Sequence, residues 1–151
     1  MIVIHGDVSD ADSVRGAFGN VKQTLGVIDI LICNTGYLSR FEPLSKADPE
    51  EWWRGFEITV KGAFNCTRAL LSNAAPSAIL VEVSTGPVHM PAIPQASSYI
   101  PSKLAATKIY ETFAGENDHI ELAHIHPGVV YSDLNVKSGI NAIDSGMCLG
   151  F

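Results

Sequence analysis

The chain has few of the features that mark specialised classes of protein. No apolar run approaches the roughly 18 to 20 residues needed to cross a bilayer, and the opening Met1-Ile2-Val3-Ile4-His5-Gly6-Asp7 lacks the basic flank of a secretory signal. A cytoplasmic location, with no membrane partner, is therefore expected. Cysteine is sparse: Cys33, Cys66 and Cys148 form no paired framework, and thiols inside apolar segments read as reduced and structural. Positive charge is sparse as well. Ten Lys and Arg stand against sixteen Asp and Glu, a net charge of -6, and no basic cluster is present, so nucleic acid is excluded as the expected partner. Neither an internal repeat nor a low-complexity tract interrupts the chain.

What remains is a 151-residue sequence that is 46% hydrophobic, with mean hydropathy +0.18, enough for one globular domain over 1-151. Short β-branched runs alternate with longer amphipathic ones, the pattern of strand-helix-strand units around a parallel sheet. Four strands are expected, at 2-5, 27-33, 78-83 and 120-126, each buried on both faces. Val14, Phe18, Val21 and Leu25 recur at helical spacing, with Ser9 or Asp10 as cap and Gly26 past the end. A second helix begins at Asp48-Pro49-Glu50-Glu51, where Asp48 caps and Pro49 sits harmlessly in the first turn. Its apolar face is Trp53, Phe56, Val60, Phe64 and Leu71, and Gly62 allows a close neighbour. The third main helix runs over 98-114, with Leu104, Ala105, Ile109 and Phe113 expected inside. Loops are expected at 34-47, 86-97 and from 127 onward.

Ligands of open parallel sheets sit beyond the carboxyl ends of the strands, and polar residues come after each run here: Asp7, then Asn34-Thr35-Gly36, then Ser84 and Thr85, then Pro127-Gly128. The densest chemistry is Tyr99 with Lys103 four residues on, which shares its helix face. A phenol has an ordinary pKa of about 10, and a nearby ammonium favours its phenolate. A downward shift of two to three units corresponds to roughly 3 to 4 kcal/mol. With a hydroxyl from Thr85 or Ser84 to hold an oxygen atom, the set can pass a proton to or from a carbonyl. His124 and His126 share one strand face but have no Cys, Asp or Glu at ligand spacing, so they read as structural histidines, with no metal. His89 is given no role, and Trp52 and Trp53 read as core or interface.

Five segments in order, Gly6-Asp7-Val8-Ser9-Asp10, Cys33-Asn34-Thr35-Gly36, Ser84-Thr85, Tyr99-Ile100-Pro101-Ser102-Lys103 and Pro127-Gly128-Val129-Val130-Tyr131-Ser132, resemble the short-chain dehydrogenase/reductase family over nearly the whole chain. The resemblance implies a Rossmann-type, doubly wound parallel α/β sheet that is incomplete, with about four strands and three main helices. It implies a nicotinamide cofactor, NADP favoured over NAD, and a small carbonyl or secondary alcohol as substrate. Tyr99 would be the acid/base, Lys103 would also bind the nicotinamide ribose, and Thr85, or Ser84, would orient the substrate. Asp7 would contact the adenine, Asn34 and Gly36 would line the cofactor, and Val130 and Ser132 would meet the nicotinamide end. Substrate choice would lie with the 86-97 loop, whose Pro87-Pro94 stretch looks similar to fungal members, and with the residues after Pro127. A tailoring step in specialised metabolism is one setting the resemblance suggests. The helices at 49-73 and 98-114 would support a homo-oligomer.

The chain also departs from the family pattern. No Gly-x-x-x-Gly-x-Gly precedes Asp7, so the turn that seats the pyrophosphate at a helix N-terminus is absent, together with the residue that separates NAD from NADP. A glycine-rich strand-turn-helix is expected in frame upstream of Met1, and a sheet lacking it would carry a bare edge open to mispairing. Thr59 stands where the family has an asparagine that seats a water. Counting back from Tyr99, the usual serine distance falls on Gly86, which favours Thr85 over Ser84. Two further readings stay open: an inactive interaction module, and an epimerase or dehydratase that shares the Tyr and Lys.

Overall fold

The computed structural model describes residues 1-128 and 133-134. Val130 and Ser132 of the expected cofactor set, Cys148 and nearly all of the segment after Gly128 lie outside the described residues.

Helix α1 (Ala11-Leu25) is capped by Asp10, whose side chain accepts from the Asp12 amide at 3.0 Å. It stops at Gly26, which adopts φ 94° and donates back to the Lys22 carbonyl, a left-handed exit that only glycine makes without strain. Strand β1 (Ile28-Cys33) comes next. Helix α2 (Pro49-Phe56) starts as expected, with Asp48 Oδ1 accepting from the Glu51 amide at 2.9 Å and Pro49 in the first turn. It passes through a π-helical turn (Glu57-Lys61) into α3 (Gly62-Leu71). Val8 packs against Gly62, where an added Cβ would meet its Cγ2 at 2.9 Å. Strand β2 (Ala74-Val83), helix α4 (Tyr99-Gly115) and strand β3 (Ile120-Ile125) complete the described elements, with single 3-10 turns at Leu44-Lys46 and Gly86-His89 inside the two expected loops.

The strands form one parallel sheet in the order β1-β2-β3. Leu80, Cys33 and Ile120 from the sheet meet Ala63 and Leu70 of α3 and Ala106, Tyr110 and Phe113 of α4, with Phe18 of α1 against the same cluster. The parallel α/β arrangement expected from the sequence is present and incomplete.

Three expectations need correction. The run 2-5 is not a strand: Ile2, Val3 and Ile4 are exposed and have no ladder partner among the described residues. An apolar run becomes a strand only where a neighbour satisfies its backbone N-H and C=O groups. The remaining strands are not buried on both faces. Ile30 and Ile32 are 57% and 61% exposed because α3 and α4 cover the other side of the sheet, so one helical layer of a doubly wound sheet is described. Helix α4 buries Phe113 and packs Ile109 against the core as expected, but it leaves Leu104 exposed and turns inward Ser102, Lys103, Ala106, Thr107 and Tyr110. Its buried face carries polar chemistry, so apolar periodicity pointed partly to the wrong side.

Candidate active site

Helix α4 begins at Tyr99, at the carboxyl end of the sheet, and one turn later Lys103 enters the space between the ends of β1 and β2. Its Nζ donates to the Thr35 carbonyl at 3.1 Å and to the Val83 carbonyl at 3.0 Å. An ammonium has three N-H groups, so one remains beyond these two bonds for a further acceptor. Lys103 is 6% exposed, and burial holds its pKa below the usual lysine range, opposed by the negative character of Glu82 and Cys33.

Gly36 makes this approach possible. A Cβ on it would stand 3.0 Å from Lys103 Cε and 3.1 Å from Nζ. The glycine of Asn34-Thr35-Gly36 therefore acts through the lysine as well as through the backbone. Asn34 is exposed beside it.

Tyr99 is partly buried. Burial pushes its phenol above the ordinary tyrosine value, and the nearby Thr85 side chain works in the opposite direction. Thr85 is thus the hydroxyl near the phenol. Ser84 turns toward α4, its Oγ 3.4 Å from Thr107 Oγ1. Of the two hydroxyls left open by the sequence, the structure brings Thr85 to Tyr99 and Ser84 to the buried side of the helix.

Asp7 lies apart from this group, at the foot of α1. Its Oδ1 accepts from both the amide and the hydroxyl of Ser9, each at 2.8 Å. Those bonds hold the exposed carboxyl below the usual range. Thr59 sits in the π-helical turn, where the widened backbone aims its Oγ1 at the Tyr37 amide, 3.3 Å away. π-Turns inside helices are frequent at functional sites.

The loop expected to govern substrate choice is tied down. Trp52 Nε1 donates to Ser97 Oγ at 3.0 Å, and the Glu42 amide donates to the Gln95 carbonyl at 3.2 Å, with Gln95 at φ 70°. Trp52 stacks on Phe56 with ring centroids 4.9 Å apart.

Two polar residues on the buried side of the site, Glu82 and Thr107, escaped the sequence reading. Thr107 Oγ1 donates to Glu82 Oε1 at 2.8 Å, and His124 Nδ1 lies 2.5 Å from Glu82 Oε2. His124 is thus placed as a structural histidine, the partner of a buried carboxyl. The signal was available: Glu82 is the one charged residue in the run 78-83. Among the described residues no group of three or more His, Cys, Asp and Glu could hold a metal ion, and no helix is long and apolar enough to cross a membrane.

The family model described as short chain dehydrogenase matches residues 1-142. This chain belongs to the short chain dehydrogenase family. It is 32% identical over 132 residues to the short chain dehydrogenase mpl6 of Monascus purpureus, covering 85% of this chain and 45% of that one. It is 33% identical over 143 residues to the short chain dehydrogenase tazN of Aspergillus terreus, covering 91% and 31%. An alcohol dehydrogenase of the archaeon Thermococcus sibiricus, solved in complex with 5-hydroxy-NADP, superposes with a TM-score of 0.80 at 25% identity, over 91% of this chain and 57% of that one. The chain thus spans about half the length, or less, of the relatives it matches.

The family implies a nicotinamide cofactor, and the residues present fit one end of it. The uncommitted N-H of Lys103, the hollow at Gly36, exposed Asn34 and the Tyr99-Thr85 pair gather at one edge of the sheet, as a ribose and nicotinamide ring require. A glycine-rich pyrophosphate turn is absent from this sequence.

Proposed function

We propose that this chain carries the proton-transfer centre of a nicotinamide-dependent oxidoreductase acting on a small carbonyl or secondary alcohol. The observation that supports it most is the Lys103 ammonium, fixed by the Thr35 and Val83 carbonyls one helical turn from the Tyr99 phenol. When bound, the nicotinamide ring supplies or accepts hydride at the substrate carbon. In the reducing direction Tyr99 gives its phenolic proton to the substrate oxygen, and Thr85 donates a hydrogen bond to that same oxygen. Lys103 binds the ribose through its remaining N-H and favours the phenolate left behind. Asn34 and Gly36 line the cofactor, and Val130 and Ser132 belong to its nicotinamide end. For Asp7 an adenine contact is the family reading, made from a carboxyl already oriented by Ser9.

NADP is favoured over NAD, in keeping with the NADP derivative held by the archaeal relative, and a tailoring step in specialised metabolism is the proposed setting. The test is a fluorescence titration of NADPH and of NADH with the 151-residue chain. A saturable change is expected, weakened tenfold or more in Lys103→Ala, since a charge-assisted hydrogen bond contributes roughly 1.5-3 kcal/mol and each 1.4 kcal/mol is tenfold. A flat response from folded protein with both nucleotides would overturn the reading.

A second role is favoured by one observation. Phe64 and Leu71, each 48% exposed, line with Arg68, Ile109 and Phe113 a groove of about 440 Å³ between α3 and α4. We assign this face to pairing with a second copy of the chain. Sedimentation should show a dimer that dissociates in Phe64→Glu.

A further inference from the structure

Glu82 is 1% exposed in the middle strand of the sheet. Parallel register aligns Cys33, Glu82 and His124 across the three strands, and this row lies under the middle of α4, where Thr107 meets Glu82. A buried carboxylate is expensive unless it is paired and hydrogen-bonded. Here both oxygens have partners, Thr107 at 2.8 Å and His124 at 2.5 Å.

Thr107 connects this carboxylate to the lysine. Its Oγ1 also stands 3.0 Å from the Lys103 carbonyl and 3.4 Å from Ser84 Oγ. A hydroxyl has one proton, and the charged acceptor takes it in preference to the neutral carbonyl. Thr107 is thereby locked onto Glu82 from the turn of α4 next after Lys103. Val83, whose carbonyl receives Lys103 Nζ, is the residue next to Glu82 on the same strand. The titratable groups facing Glu82 are His124 of β3, Cys33 of β1, and Lys103 and Tyr110 of α4, with Cys66 of α3 behind Cys33. Lys103 is the ammonium of the set, and its direct partners are two neutral carbonyls.

We propose that Glu82 is a positioning residue for the site: its carboxylate, oriented by Thr107 and His124, is the internal counter-charge that directs the Lys103 ammonium at the ends of β1 and β2. The proposal rests on the reading of Lys103 as a cofactor-binding residue, yet it can be tested without cofactor. Without its counter-charge a buried lysine loses its proton more readily.

The titration of the Lys103 side chain is followed by carbon-nitrogen NMR in the full 151-residue chain labelled at lysine, with the resonance assigned by Lys103→Met. In Glu82→Gln, which keeps the shape and removes the charge, the Lys103 midpoint should fall by about one pH unit, the scale of one opposite charge nearby. In Thr107→Val, which keeps the charge and removes its tether, the midpoint should fall by less. Circular dichroism establishes that each variant is folded. An unmoved midpoint in folded Glu82→Gln overturns the proposal. If that variant does not fold, an unmoved midpoint in Thr107→Val overturns it instead. NADPH titration of the same samples separates the two readings: a Lys103 shift in a chain that binds no nucleotide supports the counter-charge and sinks the cofactor site, and nucleotide binding with no Lys103 shift does the reverse.

Discussion

Gly36→Ala probes the fit between the turn after β1 and the lysine of α4. The new Cβ would lie 3.0 Å from Lys103 Cε, whereas ordinary contact begins at 3.4 Å, so the side chain must withdraw by about 0.4 Å, the difference between the two values. Its Nζ bonds to Thr35 and Val83 are 3.1 and 3.0 Å long, and a retreat of that size carries at least one to the limit of hydrogen bonding. Losing one bond to a charged donor costs about 1.5-3 kcal/mol. Gly36 does not occupy the left-handed region, so alanine also restricts the unfolded chain and returns about 0.4-1 kcal/mol. The net effect is a destabilisation of about 1-2 kcal/mol, or a fall in Tm of about 2-8 °C for a chain of this size. Urea unfolding followed by circular dichroism measures it. Gly16→Ala, in the open middle of α1 where a Cβ meets nothing within 4 Å, is the control and should stabilise by about 0.5-1 kcal/mol. A Gly36→Ala chain as stable as the parent would refute the tight approach of Lys103.

Asp48→Ala should cost about 1 kcal/mol in the same unfolding experiment, because Asp48 Oδ1 is the acceptor for the Glu51 amide at the start of α2. Lys103 makes stability depend on pH. With its folded pKa below the ordinary 10.5, the unfolded chain binds the extra proton between the two values, and stability rises with pH across that window. Tyr99, raised above 10.0, works in the opposite sense: the unfolded phenol ionises first, so stability falls as pH rises through 10. Subtracting the Lys103→Met profile from that of the parent should therefore isolate a rise below pH 10.5, and a flat difference would contradict the burial of a charged lysine. For Asp7, Ser9→Ala should raise the carboxyl titration midpoint read by NMR, since it removes the Ser9 hydroxyl bond, the largest cause of the depression, and leaves the amide bond in place.

The helix starts were legible because they are written locally. Asp10, Asp48 and Gly26 act within four residues of where they stand, and the structure uses each as the sequence suggested. Strand membership was less so. The run 2-5 has the composition of a strand, yet strand formation depends on a neighbour that composition does not reveal. The inner face of α4 was misread for a related reason. Lys103 and Thr107 point inward because acceptors from β2 and from the turn after β1 await them, and those acceptors lie far away in the sequence. Tyr99 and Lys103 could be grouped from the sequence because four residues separate them on one helix. Glu82 was overlooked inside an apolar run, although a lone charge there is itself a sign of a buried partner.

The most direct test of the cofactor site is a map of amide shifts in the labelled 151-residue chain as NADPH is added. Perturbations concentrated at Thr35, Gly36, Thr85, Tyr99 and Lys103, and lost in Lys103→Ala, are the predicted result. Shifts confined to the α3-α4 groove around Phe64 and Ile109, or none at all in folded protein, would contradict it.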